Sequence, residues 1–530
     1  MPVFSEMSML NGRLFLKIFF AVAVLVMLWI AAGISLLDDD WGHLKLASQG
    51  IISVFTTGWE GLVGQGGYYR PVVVLSFYFD YLIGGFDPTV YHITNVVIHA
   101  VCTYLVFLFA LNLGITRRIA FGGALLFLVL PIHTDSVFWI VGRTDSVCAL
   151  FYLSALVLFL AYLEQERVQT LVGFAICCLL ALFSKEMALS LIGALAVLAV
   201  YKKVWRSSAA LRILSVLSGV FLVYFFSRWS VLGSVLGGTP RVSILDWMLD
   251  GLKAIAKMGM TDVKWFGVVV LIATAGVLFY EIAQKKRRGA GEQGSKGDSL
   301  VLPCSPAPLL IVLVLVSLAP ALGHLHNWYL YLPSAFFCMG LSVVWHESRR
   351  QIFYFLFGVL VLYYATVMGR EGMFWRATSE ISETFVGKLM PYAQETSGKL
   401  FVLNVPAAWT PDGSLSGKPL FAYALKNALT MRTSKALVSE LVVVNHVWLT
   451  GDDFRCEVEQ TAGGFNLGIE HGGFFAFFGN NKGKELPFVL DHSWGQVATH
   501  RSGSLSVIVN TRQGDCVVVY DYGEFQQLFP

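Results

Sequence analysis

Apolar runs of about 20 residues, the length that crosses the hydrocarbon core of a bilayer, recur through most of this 530-residue chain. Backbone in hydrocarbon has to satisfy its own hydrogen bonds, so such runs fold as helices. Eleven candidates are read: Leu14–Leu37, Tyr91–Leu113, Ile119–Ile132, Ser146–Leu163, Thr170–Phe183, Leu189–Tyr201, Leu211–Ser227, Val263–Ile282, Leu300–Leu322, Trp328–Trp345 and Ile352–Met368. The first offers a small-residue exit at Ala31-Ala32-Gly33, as a cleaved leader would. Its apolar stretch to Leu37 is longer than a leader core, so it reads as a retained anchor. Charged residues make up only 14% of the chain and hydrophobic ones 56%, against about 25% charged in soluble proteins. Thirty-eight Lys and Arg against thirty-five Asp and Glu give a net charge of +3, too near neutral for a nucleic-acid surface.

Basic residues favour the cytoplasmic side of a membrane. Arg13 with Lys17, Arg117-Arg118, Arg167, Lys202-Lys203 with Arg206, Lys285–Arg288 and Arg349-Arg350 mark alternate loops. With eleven spans they fall on one face, which puts the N-terminus inside and the chain beyond Met368 outside. The outer loops receive Asp38-Asp39-Asp40, Tyr68-Tyr69-Arg70, His133-Thr134-Asp135, Arg143, Ser184-Lys185-Glu186, Arg228 and His324–Trp328. Ionisable groups near hydrocarbon are costly and face protein or water. Their gathering on one side argues for a single exoplasmic site and against an ion path across the membrane.

Pro71–Gly84 and Ile244–Met258 are too short or too polar to span and read as helices in the outer interface. Lys285–Ser299 reads as a flexible cytoplasmic loop. From about Gly398 short apolar alternations sit between turn signals: Lys399–Asn404, Leu437–Val444, Phe474–Phe478, Leu505–Asn510 and Cys516–Tyr520. The expected organisation is a polytopic α-helical membrane domain over residues 1–370, a connecting amphipathic helix within 371–397 that Pro391 stops, and a β or α+β exoplasmic domain over 398–530. Of eight cysteines, six lie in predicted spans, while Cys456 and Cys516 fall in the outer domain, where a disulfide could join them. No 34-residue helical repeat is present.

The acidic triplet Asp38-Asp39-Asp40 is followed by His43. Adjacent carboxylates repel one another and raise at least one pKa, so a member could deprotonate a hydroxyl or hold a divalent ion; acids here could also simply resist translocation. If the stretch from His133 to Asp145 is helical, Asp135, Trp139 and Arg143 share a face. Arg70, Arg143, Lys185 and Arg228 offer cations at one level, suited to a phosphate. The competing reading pairs Arg143 with Asp135 or Asp145 and Lys185 with Glu186, as loop ties. His324 and His326 lack an obvious third metal ligand, and Tyr331 could line a lipid groove or join an interface belt.

Asp39-Asp40, Tyr69-Arg70-Pro71, Asp87-Pro88 with Tyr91-His92-Ile93-Thr94-Asn95, Pro131–Asp135 with Gly142–Asp145, Ser184-Lys185-Glu186 and Tyr329–Ser334 follow one another in order. Over about Leu14 to Trp345 this series resembles the GT-C superfamily of polytopic glycosyltransferases, within it the protein O-mannosyltransferase-like branch. It looks most like the transmembrane, tetratricopeptide-repeat-containing O-mannosyltransferases and their bacterial relatives. Three departures stand out: the repeats are absent, Trp328 stands where an Arg is expected, and the acidic pair is a triplet.

The resemblance implies transfer of one sugar, with inversion, from a polyprenyl-phosphate donor to an exoplasmic glycan, lipid or protein hydroxyl. Asp39 or Asp40, with Asp38 as third candidate, would be the base. Arg70, Arg143, Lys185 and Arg228 would hold the donor phosphate, supported by His43, Tyr69, His133, Asp135, Asp145, Glu186 and Tyr331. No cofactor is required, though a divalent cation (Mg or Mn) could assist. Partners would be donor, acceptor and membrane lipids, without nucleic acid. The lack of an Asn-x-Ser/Thr sequon favours a bacterial plasma membrane. Two rivals are a transporter or flippase, which predicts inverted repeats and mid-membrane charges not found here, and a non-catalytic scaffold.

Overall fold

A computed structural model describes residues 18–57, 68–234, part of 249–258, 306–322, 325–347 and, with short breaks, 351–529. The expected span Val263–Ile282, the loop Lys285–Ser299, Cys304, His324, most of Ile244–Met258 and the start of Leu300–Leu322 lie outside the described residues. The described chain forms two compact units. One holds residues up to Ala32 and, in the main, residues 50–372; the other joins Gly33–Gln49 to Met373 and the chain beyond.

The first unit is helical. Among the described residues, four helices are long and apolar enough to cross a membrane: Pro88–Asn112, Arg143–Gln165, Ser208–Leu232 and Asn327–Trp345. A fifth crossing arises if Arg117–Val129 and Pro131–Val137, bent by 50°, act as one. Ile18–Ala31, Pro71–Gly84, Val168–Leu182, Glu186–Tyr201 and Ala307–Ala321 are apolar but shorter. The chain is thus a multi-pass membrane protein. Local signals explain the helix ends. Pro71 and Pro88 sit in first turns, where a missing N–H is harmless, and Asp87 accepts from Thr89 N–H as an N-cap. Pro131 follows the break after Val129. Gly123 lets Arg117–Val129 approach the Tyr331–Glu347 helix so closely that a Cβ there would lie 3.0 Å from Met339 Cα.

Two expectations about the helices are corrected. The stretch from His133 to Asp145 is not one helix: it stops at Val137, and a new helix starts at Arg143, so Asp135, Trp139 and Arg143 share no helical face. Pro391 does not end a separate connecting helix, because one 45-residue helix runs from Gln351 to Glu395 with Pro391 inside it. The proline removes one rung near the end, while Phe385 and Tyr392 pack against Phe525 and hold that end in place.

The second unit is α+β, with all five expected strands present. Lys399–Leu403 lies between Glu440–Val443 and Cys516–Asp521, parallel to both, and Glu524–Phe529 closes that sheet antiparallel. A five-stranded antiparallel sheet and a four-stranded sheet around Val405–Trp409 complete the unit, with a short helix at Leu425–Arg432. Phe385, Phe421, Tyr520 and Phe525 form an aromatic core with ring centroids 5.0–5.5 Å apart. Cys456 and Cys516 are free thiols. They stand on different sheets and do not form the expected disulfide.

Candidate active site

Within the helical unit, three cations from three segments gather around two carboxylates. Arg70 lies just before the Pro71–Gly84 helix, Lys185 between two helices, and Arg228 in the last turns of Ser208–Leu232. Arg70 donates to Glu186 Oε2 at 2.7 Å (Nη2) and 3.1 Å (Nε), and Arg228 Nη1 donates to Oε1 of the same carboxylate at 3.2 Å. Lys185 Nζ lies 2.6 and 2.7 Å from the two oxygens of Asp145 and 4.2 Å from the centre of the Tyr329 ring. Tyr68 stacks under Arg70 at 4.4 Å. Among the described residues the cluster holds three cations and two acids. Glu186, whose carboxylate bridges two guanidinium groups, is the most exposed of the five side chains at 27%.

The pairing differs from the expected loop ties. Lys185 has extended backbone (φ −163°, ψ 147°), so it and Glu186 project to opposite sides. Each therefore finds a partner distant in sequence. Arg143 does not join this cluster. It is fully buried and pairs with Asp80 rather than Asp135 or Asp145. Its Nε donates to Asn95 Oδ1 at 2.7 Å and its Nη2 to Tyr91 O at 2.7 Å. Thr94 donates to the second Asp80 oxygen, and Asn95 Nδ2 donates to Trp139 O at 3.0 Å, fixing the break between the helices. The geometry is that of a clasp binding Pro71–Gly84, Pro88–Asn112 and the 137–142 turn.

His133 and Tyr331 meet in a second buried network that includes His99. His99 Nε2 donates to Leu128 O at 3.0 Å, so its Nδ1 accepts from the Tyr331 hydroxyl at 2.7 Å. Ser334 donates to Tyr331 O and therefore accepts from His133 Nε2 at 2.7 Å. Tyr69 donates to Phe55 O, and Asp135 is buried. Asp80 and His99 were missed as site-region residues, yet a signal existed. An acid inside the apolar Pro71–Gly84 helix demands a partner. Likewise His92, Asn95, His99 and Thr103 form a polar stripe at helical spacing in an otherwise apolar run, and all four are buried.

The acidic triplet belongs to the second unit. Its three members are not equivalent. Asp38 holds φ 35°, ψ −110°, a backbone conformation that an L side chain rarely adopts. Asp40 Oδ2 accepts from Leu37 N–H at 2.8 Å and closes the first turn of the Asp39–Ser48 helix. Asp39 Oδ1 is buried with no hydrogen-bond partner among the described residues. Burial, rather than the expected mutual repulsion, pushes its pKa up to about 6. His43 Nδ1 donates to Asp39 O at 2.7 Å. Among the described residues no group of three or more His, Cys, Asp or Glu is placed to hold a metal ion.

No family model matches the chain. Protein O-mannosyl-transferase Tmtc1 of Drosophila melanogaster is 38% identical over 127 residues, which is 24% of this chain and 15% of that protein. TMTC2 of Mus musculus is 32% identical over 172 residues (31% and 19%), and TMTC4 of Homo sapiens 36% over 113 (19% and 15%). Among solved structures, ArnT from Cupriavidus metallidurans bound to undecaprenyl phosphate superposes with a TM-score of 0.46 at 12% identity, covering 82% of this chain and 93% of that one. The chain spans less than a fifth of the length of the curated relatives it matches. Over the matched stretches it is similar to the TMTC protein O-mannosyltransferases.

Proposed function

We propose that this protein is a membrane glycosyltransferase of the GT-C kind that moves one sugar from a polyprenyl-phosphate donor to an exoplasmic hydroxyl, on glycan, lipid or protein. The gathering of Arg70, Lys185 and Arg228 from three segments is the observation that carries this reading. A lipid phosphate is a poor leaving group unless its developing charge is neutralised, and fixed guanidinium and ammonium groups do that without reorganisation. The attacking oxygen forms a bond to the anomeric carbon as the bond from that carbon to the phosphate oxygen breaks. The hydroxyl proton passes to Asp39, and the polyprenyl phosphate leaves with the bonding pair. Attack opposite the leaving group inverts the anomeric centre.

Asp39 is the member of the triplet suited to this task. Asp40 is engaged by the Leu37 amide, whereas Asp39 has one oxygen without a hydrogen-bond partner among the described residues and a pKa of about 6. A base with that pKa is ionised at neutral pH yet stronger than an ordinary carboxylate. Arg143 serves the clasp, and His133 and Tyr331 hold the helix ends beside it. The proposed location is a bacterial plasma membrane with the N-terminus cytoplasmic and the C-terminal unit exoplasmic.

Purified protein offered a panel of radiolabelled polyprenyl-phosphate sugars, with membrane extract as acceptor, tests the reading. Consumption of one donor by wild type and none by Asp39→Asn is the expected result. Turnover of no donor by wild type would overturn it.

A further inference from the structure

Seventeen residues from the N-terminal part of the chain, Gly33–Gln49, belong to the same compact unit as the C-terminal sheets. The contacts that bind them there are specific. Asp38 N–H donates to Leu420 O at 3.1 Å, so the strained residue beside the base hangs from a carbonyl of the C-terminal fold. Arg376 lies against Gly33 so tightly that a Cβ at that position would fall 1.9 Å from its Nε. The Leu425–Arg432 helix packs on the Asp39–Ser48 helix. Arg432 stacks on Trp41 with its guanidinium carbon 5.0 Å from the ring centre, and also pairs with Glu383 of the long helix. Lys45 donates to Asn427 at 3.2 Å. Trp41, His43, Leu44 and Ala47 are all buried.

From this arrangement we infer that the C-terminal unit positions the base: Arg432, braced by Glu383, and the Leu420 carbonyl hold the segment that carries Asp39. The inference rests on the reading of Asp39 as base. It gives the C-terminal unit a role distinct from binding acceptor, gripping a partner or capping the site. Arg432 touches no reacting atom here and is a positioning residue. Two ties meet in it, a cation over an indole and an ion pair, so a neutral side chain of similar length breaks both while keeping the bulk.

The experiment compares wild type, Arg432→Met, Arg432→Lys and, as a control elsewhere in the same unit, Lys388→Ala, which removes an exposed pair with Glu524. With the donor identified by the panel above, Arg432→Met is expected to lower kcat about tenfold with donor KM within about twofold, since the base is misplaced and the phosphate site untouched. Arg432→Lys restores most of the rate, and Lys388→Ala matches wild type. Hydrogen exchange of the full-length protein supplies a readout free of catalysis. In Arg432→Met the amides of residues 37–47 exchange faster, while those of Arg143–Gln165 do not change. Unchanged exchange in 37–47 overturns the inference whether or not a donor is turned over. So does an unchanged kcat in Arg432→Met alongside an inactive Asp39→Asn, an outcome that leaves the glycosyltransferase reading intact.

Discussion

Arg143→Met is the sharpest probe of the bundle, because two readings of Arg143 predict opposite results. The fully buried guanidinium donates to Asp80, Asn95 and Tyr91 O. Removing it strands a carboxylate that, among the described residues, keeps the Thr94 hydroxyl as its one donor. Breaking one side of a buried pair costs about 3–5 kcal/mol. At about 2–4 °C per kcal/mol for a unit of this size, the melting temperature in detergent falls by about 10 °C. Asp80→Leu combined with Arg143→Met removes both charges and leaves only the lost bonds to Asn95 and Tyr91, about 1–3 kcal/mol. The double variant is therefore expected to be about 2 kcal/mol more stable than Arg143→Met alone, and less destabilised than the two single variants added together. Scanning fluorimetry of the four proteins without donor measures this. An Arg143→Met protein that melts like wild type but needs more donor to reach half-maximal rate would show that Arg143 binds the phosphate, and the clasp would be refuted.

Other outcomes follow from the same geometry. Asp39 has a folded-state pKa of about 6, above its ordinary 3.8, so the folded protein binds more protons than the unfolded chain between those values. Stability thus declines as pH rises through the window, by up to about 2–3 kcal/mol. Asp39→Asn removes that cost: it should melt higher than wild type above pH 7 and equally at pH 4, while losing transfer. In wild type, kcat/KM should rise with pH to a plateau, with a midpoint near 6 set by the same group. Arg70→Met and Arg228→Met should each raise donor KM about tenfold with little change in melting, because Glu186 keeps one guanidinium partner in either variant. Gly142→Ala would set a Cβ 1.9 Å from Asp135 O, a backbone atom that cannot swing away. It should yield little folded protein in size-exclusion analysis. Gly219→Ala, inside a helix and with no described residue near its Cβ position, should instead stabilise by up to about 1 kcal/mol.

What the sequence makes legible is what local rules determine. Helix starts at Pro71, Pro88 and Ser208 follow from fixed φ and capping chemistry. The five expected strands follow from alternation between turn residues. Partner choice is different, because it depends on where distant segments come to rest. Lys185 and Glu186 are adjacent and opposite in charge, so proximity in sequence pairs them; the extended backbone between them turns one to Asp145 and the other to Arg70 and Arg228. The helical face drawn through Asp135, Trp139 and Arg143 failed for a related reason: Asn95, on another helix, takes the carbonyls of Val137, Trp139 and Ile140 and stabilises the break. The placing of Gly33–Gln49 with residues more than 320 positions away has no local signature at all.

Asp38 offers the last test, because its strain separates holding the base from merely folding the chain. Its φ of 35° and ψ of −110° cost on the order of 1–3 kcal/mol for a residue with a Cβ. Contacts persist against such a cost only where the surroundings over-determine the backbone, and here the Leu420 carbonyl and the Leu37–Asp40 bond do so from two sides. Asp38→Gly relieves the strain but loses about 0.5–1 kcal/mol through the greater freedom of glycine in the unfolded chain. Melting should therefore hold or rise by about 1 kcal/mol. If the strain aims the next residue, the freed turn lets Asp39 wander and kcat falls with donor KM unchanged. A variant that is both more stable and as fast as wild type would mean that the strained turn does not position the base, whatever role Arg432 keeps.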